Sequence, residues 1–457
     1  MSFVPLDSGV QALRNVLGGR RPAVAGHDTW TVSGLETVVP ETVLLCVQRS
    51  GAVDVLRARG VDVFCLSEHV PPAEVSGRST VDLLSHPAAQ DFCRRLGPLL
   101  VTAFKPTERL AAAVAAVGST LVAGSPAVAR AFENKLAFTE TARRLGLRTP
   151  DFRQVDVTAA TTFEELSPDG VGLVLQGARG NAGQRTWLAR DQHDLDRALA
   201  AEAPGRMRIA PYLRGMPFTA TGLAGPAAGE ALVGWIEPCR QVTGVPWLTP
   251  IQLGSCGNAW PEHRLDAHRD AARRAVEAIA LELSDAGYKG PFGVDFVLDT
   301  DGPRVIETNP RMVASLSLAT QLEAFTGAAP LLLLNLLQAL DGGSHGIPAG
   351  SEPDLPGASQ LIVHDITSRS DTASGQVFHP HFPRSGVYRL RPGSAPSYLR
   401  EGAWWKDLAA PDEALLMVRD PGEPVSAGRE FARILLPTNR AEHTPGVHEA
   451  VRLLRGD

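Results

Sequence analysis

Apolar and polar positions change period several times along the chain, and each change marks an element. Over the first 125 residues, compact apolar runs at 42–47, 61–66, 99–104 and 119–122 carry the β-branched content that strands prefer. Between them, 52–59 and 107–117 place apolar residues at helical spacing. Strands alternating with helices predict a parallel sheet with crossover connections, an α/β domain over 1–125. No GxGxxG follows the first of these strands, so a dinucleotide site in this domain has no support.

Beyond it the punctuation becomes more informative. Ser125-Pro126 reads as a helix start, and a second helix begins near Asn134, runs to Leu145 and ends at Gly146, with Pro150 following. The strand 171–176 enters a glycine-rich loop, 177–183, and returns as a strand at 186–189, which predicts a hairpin with a wide tip. A short helix over 191–201 is capped by Asp191, and 208–213 reads as a strand or hinge. The longest helical pattern covers 265–286. Two strands, 293–298 and 303–308, are joined by Asp299-Thr300-Asp301-Gly302, a hairpin signal. The apolar stretch 328–340 is broken by Pro330, Asn335 and Gln338 and is too short for a bilayer, so it reads as a buried helix. Gly and Pro cluster over 342–357 as a linker, and strand-like runs at 360–364 and 386–390 predict a small α+β appendage.

Composition narrows the classes. At roughly 150 residues per domain, 457 residues suggest about three domains. A net charge of −6 gives no reason to expect nucleic acid or an anionic membrane as partner. With 44% hydrophobic and 21% charged residues the chain is globular in balance. The five cysteines, Cys46, Cys65, Cys93, Cys239 and Cys256, are scattered without a CxxC pair, which argues against a disulfide framework or zinc ribbon and for a reducing, cytoplasmic compartment. The N-terminus lacks the basic start and apolar run of a signal peptide.

Three constellations carry chemistry. The first is the second hairpin, with Asp295 on one strand and Glu307, Asn309 and Arg311 on or just after the other. Glu307 and Asn309 are two apart and share a face. With Asp295 opposite they converge as hard oxygen ligands suited to Mg²⁺. Arg311 can pair bidentately with phosphate or carboxylate. Asp299 and Asp301 belong to the turn. The second is the loop 177–183, whose backbone N–H groups can close on a phosphate, although no Walker sequence follows. The third is Lys135 at a helix start, against the helix dipole, where a lysine facing phosphate is one reading and a solvated lysine the other. In the segment after the hinge, Trp235, Glu237, Arg240, Trp247 and Asn258 are candidates for a substrate pocket, with Arg240 able to clamp a carboxylate, against core tryptophans and a surface cation. His379 and His381 flank Pro380 and read as a solvated loop rather than a metal site.

Taken in order, the Asn134-Lys135 helix ending Gly-Leu-Arg-Thr-Pro150, the strand into the glycine loop, Tyr212-Leu-Arg-Gly215 and Glu307-Thr-Asn309-Pro-Arg311 resemble the ATP-grasp superfamily, over roughly 126–340. The resemblance implies an α/β and α+β multidomain protein: an ATP-grasp fold with an N-terminal pre-ATP-grasp, Rossmann-like domain (1–125), a small lobe with a glycine-rich flap (126–205), a large lobe with the Mg²⁺ site (206–345) and a small C-terminal domain (346–457). It implies ATP with Mg²⁺ (Mn²⁺ as the alternative ion). Lys135, Gln176, Gly180, Asn181, Ala182, Gly183, Ile209, Tyr212 and Leu213 would lie on the nucleotide, and Asp295, Glu307 and Asn309 on the metal. Arg311 would stabilise an acyl phosphate, and Arg240 would lie on the carboxylate substrate. Two positions depart from the family pattern: Gln176 stands where a second phosphate lysine is usual, with Arg179 or Arg185 as replacements, and Ala210-Pro211 stand where the hinge often has an acid. The activity implied is ATP-dependent joining of a carboxylate to an amine, on amino acids or small peptides, γ-glutamyl ligation included, in a homodimer as is common in the family. A biotin-dependent type of carboxylase and a nucleotide-binding regulatory protein without turnover are the rival readings. No Met-Lys-Met carrier motif is present for the former.

Overall fold

The computed structural model describes residues 3–75, 77–180, 183–201, 205–225, 232–341, 353–366, 376–377, 384–420, 424–425 and 428–455. The N-terminal domain is a five-stranded parallel sheet of β1 (Arg21–Gly26), β2 (Val43–Cys46), β3 (Val63–Cys65), β4 (Leu99–Ala103) and β5 (Thr120–Leu121), in the order β3-β2-β1-β4-β5. The central strand β1 has no counterpart in the hydrophobic pattern. Arg21-Pro-Ala-Val-Ala-Gly26 has a single β-branched residue, and it is a strand because β2 and β4 supply backbone partners on both sides. Strand order reverses between β1 and β4, so their carboxyl ends border a crevice where ligands bind in sheets of this kind.

The four-stranded antiparallel sheet that follows is ordered β6-β9-β7-β8, from β6 (Arg153–Val157), β7 (Leu173–Gln176), β8 (Thr186–Ala189) and β9 (Gly205–Pro211). β7 and β8 form the expected hairpin, Gln176 opposite Thr186. β9 pairs with both β6 and β7, so the small sheet continues past the 205/206 boundary expected from sequence.

Ten strands make the largest sheet, in the order β14-β13-β10-β11-β12-β15-β21-β19-β17-β18. Its members are β10 (Met216–Ala224), β11 (Leu232–Thr243), β12 (Ser255–Trp260), β13 (Gly290–Asp299), β14 (Gly302–Asn309), β15 (Ala358–His364), β17 (Gly386–Arg391), β18 (Ser394–Arg400), β19 (Glu413–Val418) and β21 (Glu430–Leu436). β16 (Gln376–Val377) and β20 (Pro424–Val425) form a separate two-stranded ladder. The sheet does not break near residue 346: β12 pairs with β15, Gly257 opposite Leu361, so the C-terminal segment extends the same sheet rather than hanging from it.

Helix Arg269–Asp285 covers one face of this sheet. Its buried residues Ala272, Val276, Ile279, Ala280 and Leu283 follow the helical repeat and pack on Phe218, Phe292 and Phe296. The expected apolar helix is Leu331–Asp341, buried against the N-terminal helix Leu6–Leu17 in the main core. Polar contacts also cross from the N-terminal domain to the C-terminal segment. Buried Glu36 accepts from Trp404 Nε1 at 2.7 Å, and Arg433 Nη1 donates to the Trp30 carbonyl at 3.2 Å. All five thiols are free and buried. Among the described residues no helix is long and apolar enough to cross a membrane.

The joint between the first domain and helix Pro126–Phe132 is tight. A Cβ on Gly124 would lie 2.1 Å from Tyr288 Cε2, and the fully buried Tyr288 hydroxyl donates to the Pro291 carbonyl. Gly124→Ala is therefore expected to lower the thermal unfolding midpoint, through an overpacking cost of about 1–3 kcal/mol. A midpoint equal to the wild type would contradict this packing.

Candidate active site

A cavity of about 860 Å³ lies between the three sheets. Its floor is the hairpin β13–β14. Antiparallel register sets Asp295 directly opposite Glu307 and Gly293 opposite Asn309, which brings the three predicted ligands to one place. Asn309 Nδ2 donates to Asp295 Oδ2 at 3.1 Å and more weakly to Glu307 Oε1 at 3.4 Å. Its Oδ1 accepts from Arg311 Nη2 at 3.0 Å, so the amide presents its nitrogen to the carboxylates and must turn over to offer oxygen to a cation.

Burial sets the charges here. Burial, and then the facing Glu307, push the Asp295 carboxyl up from 3.8 to about 7. Burial also acts on Glu307, but the Lys135 ammonium and the Arg208 guanidinium outweigh it and hold Glu307 below its ordinary value. Lys135 Nζ lies 2.8 Å from Glu307 Oε2 and donates to the Gly180 carbonyl at 3.0 Å. Its position follows from Asn134, whose side chain accepts from Leu136 N and Ala137 N and starts the helix Lys135–Arg144. Two half-buried carboxylates with hard oxygens, one of them carrying a raised proton affinity, suit a divalent cation that would displace that proton.

Arg311 is held rather than free. Nε donates to Glu133 Oε1 at 3.0 Å, Nη1 donates to the Met312 carbonyl at 3.0 Å, and the guanidinium carbon lies 5.3 Å from the centre of the Phe104 ring. Glu133 also pairs with Lys105, Nζ–Oε2 2.8 Å, which ties this corner to the end of β4.

The departure at Gln176 has a structural counterpart that the sequence pattern did not reveal. Arg208, fully buried on β9, donates through Nε and Nη2 to Gln176 Oε1 at 3.1 and 2.6 Å. Its Nη1 reaches the Ile306 carbonyl at 3.0 Å, and its guanidinium sits 3.9 Å from the centre of the Phe152 ring. An arginine has donors only, so the Gln176 oxygen must face it, and the amide nitrogen turns the other way, 3.4 Å from Thr186 Oγ1. Burial lowers Arg208 to about 10, which leaves it charged at neutral pH. Arg179 and Arg185 are exposed, and the Arg185 side chain covers Gly177.

Two glycines of the loop, Gly180 and Gly183, lie at the cavity. Gly183 has φ +81, and a Cβ there would meet Gly254 Cα at 2.7 Å, so a glycine is required. Asn181 and Ala182 lie outside the described residues, as do His379 and His381. At the hinge, Tyr212 and Leu213 line the cavity with Ala210 and Pro211, and Tyr212 N donates to the Gly172 carbonyl at 2.6 Å. Ile209, expected on the nucleotide, does not line the cavity: its side chain is fully buried in the core of the small sheet and its backbone lies in the ladder between Arg153 and Leu175.

One expectation is corrected by the geometry. Arg240 does not line the cavity: its fork is taken up by Glu442, Nη1–Oε1 2.9 Å and Nη2–Oε2 3.1 Å, with Glu262 at 3.6 Å from Nε. Strand alternation explains it. On β11, Gln241 faces the cavity and donates to Asp295 Oδ1 at 2.8 Å, so its neighbour Arg240 points to the opposite face. Glu237 pairs with Arg269, and Trp235 and Trp247 are packing residues. Asn258 does reach the cavity, with its Oδ1 held by Gln360 Nε2 at 2.9 Å.

Known proteins share this architecture. A sequence model described as the ATP-grasp domain matches residues 132–315. No curated protein matches the chain. Among solved structures, phosphoribosylamine–glycine ligase from Thermotoga maritima superposes with a TM-score of 0.55 at 12% identity, over 95% of this chain and 96% of that one. Biotin carboxylase from Campylobacter jejuni gives 0.54 at 12%, over 92% and 87%. L-amino acid ligase from Bacillus licheniformis gives 0.52 at 15%, over 94% and 96%. At these identities the likeness is one of fold.

The Asp295–Glu307 pair has a pH signature. The unfolded carboxyl loses its proton near 3.8 and the folded one near 7, so folding loses stability as pH rises through this window and regains none above it. Asp295→Asn is expected to raise the thermal midpoint of the protein in metal-free buffer, by more at about pH 8 than at about pH 5. A gap that narrows with pH would count against the facing half-buried charges.

Proposed function

We propose that this chain, an ATP-grasp protein by its matched domain and its fold, is an ATP-dependent ligase that joins an amino-acid or small-peptide carboxylate to an amine through an acyl phosphate, releasing ADP and phosphate. One observation carries the reading: Asp295, Glu307 and Asn309 converge on a cavity floor beside Lys135 and Arg311, with a glycine-bearing loop and an apolar-walled hinge lining the same cavity.

The chemistry must bring a carboxylate up to a triphosphate, two anions that repel. Asp295 and Glu307, with Asn309 turned over, would hold Mg²⁺, which when bound neutralises phosphate charge and aligns the terminal phosphoryl group. Lys135 adds a buried positive charge next to Gly180 of the flap. Gln176, oriented by Arg208, offers a neutral N–H donor where a charged one is usual. Tyr212 and Leu213 at the hinge supply backbone groups for adenine. Arg311 is pinned by Glu133 and Asn309, which supports a role for its guanidinium in stabilising charge on the acyl phosphate and the tetrahedral intermediate. No protein nucleophile is needed.

Incubation with ATP, Mg²⁺ and a mixed amino-acid pool, with products read by mass spectrometry, tests the reading. ADP, phosphate and an amide whose mass is the sum of two pool members less water are expected. Release that requires bicarbonate instead would transfer the chain to carboxylase chemistry, and nucleotide binding without release would make it a regulator. Glu307→Gln is expected to cut acid-dependent ADP release by at least about 10²–10³. Its circular dichroism spectrum should match the wild type, and near-full turnover would refute the site.

A further inference from the structure

Elsewhere on the cavity wall a histidine is oriented by a buried carboxylate. His27 follows β1 directly and lines the cavity, with its side chain 42% exposed. Its Nδ1 lies 3.0 Å from Asp28 Oδ2. The other Asp28 oxygen accepts from Arg419 Nε at 3.3 Å, and Asp28 and Arg419 are both buried. Burial raises the Asp28 carboxyl, but Arg419 and His27 outweigh it, and the net shift is downward, so Asp28 is a carboxylate. A carboxylate at Nδ1 fixes the neutral ring in the tautomer with the proton on Nδ1 and the lone pair on Nε2. With Nδ1 turned into the wall, Nε2 is the nitrogen left on the cavity side, and no described residue bonds it.

The sheet places this ring beside the reacting corner. β1 and β4 are parallel neighbours with Ala25 opposite Ala103, so His27 and Lys105 leave the sheet side by side. Phe104 N donates to the Ala25 carbonyl at 3.2 Å, Phe104 carries Arg311 on its ring, and Lys105 reaches Arg311 through Glu133.

A ligase has a proton to dispose of, because its amine arrives as an ammonium ion without a lone pair. The other acid–base groups of the cavity are engaged. Asp295 and Glu307 face the proposed cation, and Glu430 is gripped by Arg433 at 3.0 and 3.2 Å. His364 has its Nδ1 3.1 Å from the Leu248 carbonyl, and burial, with Arg433 and Arg455 nearby, outweighs the charge of Glu430 and opposes a positive charge on it. His27 has a buried carboxylate hydrogen-bonded to its ring to stabilise the imidazolium that proton uptake creates, whereas Glu430 acts on His364 through its charge only.

Resting on the ligase reading, we propose that His27 is the proton acceptor for the incoming amine, in an acceptor subsite bounded by His27, Asp28, Arg419 and the Arg311 corner. Nε2 takes one proton from the substrate ammonium. The freed nitrogen lone pair attacks the acyl carbon, the carbon–oxygen bond to the phosphoryl group breaks, and its electron pair leaves with phosphate. The second nitrogen-bound proton goes to the departing phosphate, and His27 returns its proton to solvent.

Hydroxylamine separates this step from the formation of the acyl phosphate, because it is largely unprotonated at neutral pH and needs no base. His27→Asn keeps a donor for Asp28, and its thermal midpoint should match the wild type. With ATP, Mg²⁺ and each of the twenty proteinogenic amino acids as the acid, His27→Asn is expected to form hydroxamate within about threefold of the wild type. Amide formation from the mixed pool should fall by about 10²–10⁴ and recover in part as the pH is raised. Equal loss of hydroxamate and amide, or loss of neither, would overturn the assignment. So would the same selective loss in His364→Asn with His27→Asn unaffected. Absence of hydroxamate from the wild type would overturn the ligase reading itself, and the role of His27 with it.

Discussion

Asp295 and Glu307 face one another across an antiparallel pair in the cavity floor, and like charges so placed repel. Neighbouring elements are arranged around that repulsion. Lys135 comes from a helix of the preceding segment, Arg208 from the small sheet, Gln241 from β11 and Asn309 from β14 itself. Each supplies a donor or a positive charge, and even so one carboxyl stays near the point of holding a proton. The floor therefore holds its two carboxylates together only with the help of these donors and positive groups.

The same positive groups lock the lobes together. Arg208 connects β9, β7, the lysine helix and β14 through Gln176, the Lys135 carbonyl and Ile306. The uncharged Gln176 therefore does not leave this part of the cavity wall without charge. The cation moves one layer back, into the wall, and the amide carries only a hydrogen bond forward. Arg311 shows the complementary arrangement: its charge faces the cavity because Glu133, Asn309 and the Phe104 ring hold it from behind.

The joining of the domains follows from backbone pairing. β12 hydrogen-bonds β15, so one sheet carries both the carboxylate hairpin and the segment that supplies Arg419 and Glu430. The N-terminal sheet closes the cavity from the opposite side through the ends of β1 and β4. Groups that line the cavity thus come from distant parts of the chain.

Local signals in the chain were sufficient for the carboxylate hairpin, the Asn134-capped lysine helix and the flap hairpin. Each depends on contacts within a few residues: a two-residue face repeat, a side-chain cap, a turn with Asp-Gly. The alternation that sets Arg240 and Gln241 on opposite faces of β11 was not legible, because that strand has no clear period of its own and takes its orientation from β10 and β12. β1 was equally silent, since its alanines and glycine become a strand only between two partners, and His27 was hidden with it. Arg208, Asp28 and Arg419 look like ordinary charges in sequence. Only tertiary packing made them buried ions, because desolvation is a property of what surrounds a residue and not of the residues beside it in the chain.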